Sequence, residues 1–553
     1  MSKHSLFSQL SHFLHRMGKK HRLYGLTLLG RSTSELLRIP TDPWPGDFQV
    51  AHSILEGSFP FHHQLIPLKE CLNHLGRPDH CPNFLLSRLH GFEWLRDLRT
   101  VSTNPGRKRA RQLITHWINH NHSWATKSWL SPSWRPDIVA NRLSNWVAVY
   151  DFFGTSADDF FKQAFFKSLM RQYRYLRRIY TSVTDPFQAF TVLKGLISCA
   201  CTLPRQKGRI PSFVDHLQKV LKSQILPDGG HISRSPALQL IMLRDLIDIR
   251  SLLKSVEAED PTFLQHAISA MAPMVRLFRH GDGGLADFAG DVNPYAVGFD
   301  TENISPAIVD MALSLADVRG RPPGRAPYMG YERCMSKSGL ILLSTKSSHS
   351  EELPLTTNEE PGINILDFEW SVGRQRILKR CDMIIQLTDH SWLRVNDDEG
   401  ELILKRHSKD GSGYLSADFN QFIRGISYRH QRQLYLSGKE GDFRGHDTFT
   451  LSQPAMVAVR FTFSRNVEIL SHTTKKIKIK VYPPSTISGK GAPRKIMQTW
   501  SFITKGASDV LWQHCKETGL PYLMLLTPLV KEKAQTVKWA FHLDENVETA
   551  VSF

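Results

Sequence analysis

The hydrophobic pattern of this chain changes period partway along. From about residue 90 apolar positions recur at helical spacing, with segments predicted at about 186–203, 211–224, 236–254, 261–279 and 305–317. Short loops join them without strand-like alternation, which predicts an all-α unit. Further on the period becomes two. Val457, Val459, Phe461 and Phe463 alternate with Ala458, Arg460 and Thr462, and Val537, Trp539 and Phe541 alternate with Lys538 and Ala540. Ile477, Ile479 and Val481 repeat the pattern, and Gly/Ser/Asp turns separate the runs, as in an antiparallel sandwich. Arg319 to Pro327, rich in Pro and Gly, reads as the hinge between the two regimes. The predicted fold is α+β and multidomain, with a helical domain over 1–325 and a β-sandwich over 326–553.

Leu226 to Arg250 is the most structured stretch of the helical half. Asp228-Gly229-Gly230 is a turn signal, because paired glycines accept backbone angles that side chains forbid. His231 and Arg234 follow, then Ser235-Pro236, a capping serine before a proline at the first helical position. Leu238, Leu240, Ile241, Leu243, Leu246 and Ile247 leave almost no polar face, so the helix should be mostly buried. A polar, cationic turn at the mouth of a buried helix is a rigid mount for a ligand group. The plain alternative is a helix start with Arg234 in solvent.

Elsewhere in the helical half the signals are structural. Residues 1–30 form a basic amphipathic lead-in, read as a packed first helix, and 40–90, rich in Pro, Gly and His, read as irregular loops. His116 and His120 share a helical face at a spacing zinc uses, but no third ligand accompanies them. Ser156 is the expected cap of a helix with Asp158 and Asp159 in its first turn and Arg171, Arg174, Arg177 and Arg178 near its end, an order that suits the helix dipole.

Composition narrows the class of partner. The 553 residues suggest two domains, and 41% apolar with 22% charged residues marks a globular chain. The net charge of +18 favours an acidic partner: nucleic acid, anionic glycan or anionic lipid. Seven cysteines without a CxxC read as buried reduced thiols. No run has membrane-spanning length, and no convincing signal peptide is visible. Nucleic-acid binding lacks an RNP motif, zinc finger or helix-turn-helix spacing to support it.

Several motifs together resemble one family. Asp228 to Pro236, the loop Phe278-Arg279-His280-Gly281-Asp282-Gly283-Gly284 and Val372-Gly373-Arg374-Gln375-Arg376 are similar to the heparinase II/III family of polysaccharide lyases. The likeness is greatest to the subgroup found in alphaproteobacteria, and HGFEWLRDLR (90–99), SWRPDIVANRL (133–143), QLYLSGKEGD (433–442) and VKWAF (537–541) extend it over most of the chain. The resemblance implies an incomplete toroid of paired helices, then a β-sandwich, with an acidic glycan in the cleft between them. It also implies a cell-envelope location, against the missing signal peptide, which leaves the cytoplasm as the alternative.

Lyases of that family remove the C5 proton of a uronate and expel the O4 leaving group. A neutraliser stabilises the charge on the carboxylate while a Tyr or His takes the proton. Carried over by position, this chain departs from the pattern. The Tyr position after Ser235-Pro236 holds Leu238, the Asn/His pair falls at about Pro186 to Gln188, and the sandwich His falls at Glu360 to Asn364, where no His occurs. The remaining candidates are His231 and His280 as base, with Arg234, Arg279, Asp282, Asn293, Arg374 and Tyr414 as substrate-binding groups. His390 matches a position where the family often has a metal ligand, with no partners visible. No cofactor is expected, with a structural zinc or calcium ion as the alternative. Two functions stay open: β-elimination on an acidic glycan, or glycan binding by a relative that has lost the chemistry.

Overall fold

The computed structural model describes residues 24–61, 64–71, 83–121, 132–258, 261–288, 304–346, 365–388, 392–393, 400–423, 425–439, 441–473, 476–483, 496–515 and 519–548. The helical half is α1 (Phe48–Glu56), α2 (Asn83–Gly91), α3 (Leu95–Val101), α4 (Asn104–Asn121), α5 (Pro136–Ala148) and α6 (Asp159–Ile179), with single turns between some of them. It continues through α7 (Pro186–Thr202), α8 (Ile210–Leu221), α9 (Pro236–Ser255), α10 (Thr262–Leu277) and α11 (Pro306–Ala316). These helices share one apolar core, and with the sandwich that follows they form a helical toroid plus β-sandwich. Helix α9 is buried along most of its length, as its apolar circumference predicts, and the Ser235 hydroxyl caps it by accepting from Leu238 N.

Two expectations are corrected. Residues 40–90 are not uniformly irregular: α1 is capped by the Asp47 carboxylate and ended by left-handed Gly57, and a hairpin of β1 (Ser58–Phe61) and β2 (Gln64–Pro67) follows. A short capped helix leaves little periodic signal among prolines and glycines, which is why composition misled there. The cap of α6 is Asp158, not Ser156. Asp158 Oδ1 accepts from Phe161 N at 2.8 Å, while the Ser156 hydroxyl accepts from Arg111 at 2.6 Å. The predicted lead-in helix falls mostly outside the described residues.

The strands form two antiparallel sheets. In chain order they are β3 (Arg325–Ala326), β4 (Tyr331–Met335), β5 (Gly339–Ser344), β6 (Phe368–Val372), β7 (Gln375–Leu387) and β8 (Trp392–Leu393). Then come β9 (Glu401–Lys409), β10 (Ser412–Ile423), β11 (Ile426–Leu436), β12 (Asp442–Leu451), β13 (Ala455–Phe463), β14 (Val467–His472) and β15 (Lys476–Val481). The last are β16 (Ile496–Lys505), β17 (Asp509–His514), β18 (Pro521–Leu529) and β19 (Gln535–Glu548). The first sheet has the order β17-β18-β13-β7-β6-β5-β4-β3, with β8 paired to β7, and the second β14-β15-β16-β19-β12-β11-β10-β9.

The strands β4 to β6 explain how the halves join. Every residue of β5 and β6 is buried. Leu340 and Leu342 of β5 pack into the helical core, whereas Ile341 and Leu343 pack into the sandwich core. Alternation, which normally sorts apolar from polar, here sorts one core from the other.

Candidate functional site

Two tight turns carry the helical half onto this sheet, and they are copies of one backbone design. After α8, Leu226 N donates to Gly230 O, Gly229 N to Leu226 O and Ile232 N to Gln224 O. After α10, His280 N donates to Gly284 O, Gly283 N to His280 O and Ala286 N to Phe278 O. Each aspartate closes its turn by accepting from the second glycine: Asp228 from Gly230 at 3.1 Å, Asp282 from Gly284 at 2.8 Å. Gly229 and Gly283 take φ of +86° and +88°, the left-handed region that favours glycine.

The turns meet different parts of the sandwich. Asp228 Oδ2 accepts from the backbone of Tyr328 and Met329, both at 2.9 Å, and the Tyr331 hydroxyl donates to Arg234 O at 2.9 Å. Arg333 of β4 reaches Leu277 O and Arg279 O. The second turn packs on the hairpin between β6 and β7 so closely that a side chain at Gly281 would overlap the Gly373 carbonyl.

His231 is buried beside the first turn, 1% exposed. Its Nδ1 accepts from Ser233 N at 3.1 Å and lies 2.6 Å from the Ser233 hydroxyl, so Nε2 carries the proton. Among the described residues that Nε2–H has no hydrogen-bond partner. Burial holds the imidazole down at about 4, so it is neutral at pH 7. The Phe187 ring lies T-shaped to it, with 6.0 Å between the ring centroids.

His280 is clasped from both sides. Nε2 lies 3.0 Å from Glu369 Oε2 and Nδ1 lies 2.8 Å from the Ser371 hydroxyl. Burial holds the imidazole well below its usual range, with the Arg376 charge adding to the effect. Burial also pushes the Glu369 carboxyl up to about 8. Both shifts favour the uncharged forms of the pair, and the two ring nitrogens are taken up by Glu369 and Ser371. Glu369 Oε1 accepts from Asp287 N at 2.5 Å. Sequence reasoning missed Glu369 and Ser371. Their strand reads as ordinary core, and nothing in its pattern tells which histidine it will meet.

The other candidates are dispersed. Arg234 is buried, with φ of +56°, rather than in solvent. Arg279 is ion-paired to Asp310 and reaches Gly283 O, and Asp282 lies 3.4 Å from Arg376. Arg374 is exposed on the turn after Gly373. Tyr414 stands on the second sheet, beside Tyr435 and His407, alternating with the inward Leu415 and Ala417. It therefore faces away from the sandwich core and from the strands that meet the two turns. Asn293 and His390 lie outside the described residues, as does the Glu360 to Asn364 stretch. Among the described residues no group of three His, Cys, Asp or Glu side chains is placed to hold a metal, and His116 and His120 simply stack at 4.0 Å.

At the other ends of α5, α7 and α9 lies a cavity of about 320 Å³ lined by Asp42, Arg96, Lys194, Ser198, Thr202 and Asp248 among others. Lys194 pairs with Asp245 and Asp248, and Arg96 with Asp42 at 2.7 Å, so its charges satisfy one another.

A helical toroid docked through polar turns onto a sandwich is also the architecture of heparinase III. Residues 52–278 match the family model for the heparinase II/III N-terminus. FtsZ-localized protein C of Caulobacter vibrioides is 24% identical over 441 residues, covering 74% of this chain and 73% of that one. A crystal structure of heparinase III shares the fold with a TM-score of 0.58 at 11% identity, covering 97% of this chain and 91% of its own. Another heparinase III matches with a TM-score of 0.52 at 12% identity, over 98% and 91% of the two chains. Residues 52–278 thus match the heparinase II/III N-terminal domain, and the chain is a distant relative of heparinase III that shares its fold. Among the described residues no helix is long and apolar enough to cross a membrane.

Proposed function

We propose that this protein binds an acidic, uronate-containing glycan at the junction of helical domain and sandwich, and that its β-elimination chemistry is weak or lost. The observation that carries this reading is the state of the two candidate bases. A base must reach the C5 proton with a free lone pair. The Nδ1 lone pair of His231 is taken up by Ser233, and both ring nitrogens of His280 are engaged by buried partners. The Pro186 to Gln188 stretch, where the resemblance places the neutraliser, has no Asn or His and sets the Phe187 ring T-shaped to His231, and the tyrosine position holds the buried Leu238. The exposed Arg374 beside the second turn is the group best placed to grip a carboxylate, and the +18 charge suits such a partner. This reading carries with it a cell-envelope location.

The test is a panel of acidic polysaccharides read for binding and for the ultraviolet absorbance of an unsaturated uronate. Binding without alkene release is expected. Alkene release at the rate of an ordinary lyase, lost in His231→Ala or His280→Ala, would restore the enzyme reading.

The similarity to a protein named FtsZ-localized favours a second reading, in which this fold serves as a scaffold at an FtsZ assembly. Co-sedimentation with polymerised FtsZ would support it, and no enrichment in the pellet would remove it.

A further inference from the structure

The outward face of the second sheet carries an ordered pattern that the domain junction does not use. In the cross-strand register Lys476 stands beside Ile503, Ile503 beside Ala540 and Ala540 beside Arg444. The row continues from Arg444 to Tyr435, Tyr414 and His407. Two residues along each strand runs a second row, in which Lys505 faces Lys538, Lys538 faces His446, and the line ends through Gln433 and Ser416 at Lys405. Every residue of both rows is exposed or half-exposed. Neither row contains an Asp or Glu, and among the described residues Lys405, Lys505 and Lys538 form no ion pair, whereas Arg444 is paired with Asp442. The inward partners of these strands, such as Leu415, Phe443 and Phe541, are fully in the sandwich core, so the face is rigidly supported.

At about 4.8 Å between strands, the first row extends roughly 29 Å across seven strands, the second lying about 7 Å beside it. The result is a ribbon with lysines at both ends and two tyrosines adjacent in register near one of them. We propose that this face is a second polyanion site, taking an acidic polysaccharide strand laid across the β-strands, with the lysines on its carboxylate or sulfate groups and Tyr414 and Tyr435 against a sugar ring. Single-stranded nucleic acid is the less fitting occupant, because such sites set successive aromatics along the strand and this ribbon offers one pair. The inference concerns a surface separate from the junction and does not need that reading to hold.

The test uses the full chain and three probes: a heparin octasaccharide, single-stranded oligo-dT of matched charge and neutral dextran. The triple variant Lys405→Glu/Lys505→Glu/Lys538→Glu, whose side chains are all exposed, is compared with Arg374→Ala at the junction, with circular dichroism confirming that both remain folded. A tenfold or greater loss of heparin affinity in the triple variant, a smaller loss in Tyr435→Ala, and no binding of dextran are the expected results. An unchanged affinity in the triple variant overturns the proposal, and if Arg374→Ala alone abolishes binding the junction reading stands without it. Tighter binding of oligo-dT than of heparin overturns the choice of partner, and failure of every probe to bind overturns the site altogether.

Discussion

Glu369 and His280 show how burial, as the largest cause, moves proton equilibria. An ordinary glutamate is ionised at neutral pH, but Glu369 is 1% exposed and its carboxyl is pushed up to about 8. Because its folded value lies above its unfolded one, its contribution to stability is full below about 4.5 and is lost as pH rises through about 8. Glu369→Gln should therefore flatten the fall in stability between pH 5 and 8 by up to about 1.4 kcal/mol per pH unit, measured by urea unfolding at a series of pH values. His231 has the opposite sign: its value is lowered to about 4, so its contribution is present above about 6.5 and lost as pH falls through about 4. His280→Ala would strip Glu369 and Ser371 of their shared partner inside the interface. A loss of about 2–4 kcal/mol in the same unfolding assay is expected.

At the scale of elements, the two glycine turns are the devices that join α8 and α10 to the sandwich. Their hydrogen bonding is shared, but their surroundings differ, which separates two sources of cost. Gly229→Ala would strain a left-handed residue and also drive a methyl into the Ala270 carbonyl, whereas at Gly283 the nearest obstacle is the Pro306 ring at 3.1 Å. The strain alone is worth about 1–2 kcal/mol. Gly283→Ala should cost about that much, and Gly229→Ala clearly more, in a side-by-side thermal or urea melt. The turns were legible as turns from Asp-Gly-Gly. Their equivalence was not, since it resides in the backbone register and places His231 and His280 at different points of the shared frame.

For the whole molecule, the division of β5 between two cores couples the halves. Leu342 sits in the helical core and its neighbours Ile341 and Leu343 in that of the sandwich, so neither half is completed without the same strand. Leu342→Ala should cost about 2–5 kcal/mol, as large-to-small changes in a core do. Far-ultraviolet and near-ultraviolet transitions are expected to shift together. A helical half that melts separately while the sandwich signal stays put would show that the shared strand does not couple them.

Period and composition by themselves determined that helices come first and strands second, that α9 is buried, and that the chain is strongly basic. Those are properties of local spacing and net charge, which a linear chain displays. Short elements with weak periodicity escaped: α1 and its hairpin hid behind Pro and Gly, and a nearby acid, Asp158, took the cap assigned to Ser156. Only the tertiary structure decided what the candidate residues can do. Glu369 lies 89 residues from His280, and Ser371 lies 91 away, yet burial among them decides that the imidazole is engaged and neutral. Tyr414 and Lys405 are adjacent rows on one exposed face because strand pairing, not chain distance, sets neighbours across a sheet. Proton affinity and access depend on which groups the fold encloses together, and that is settled by long-range packing that no local pattern encodes.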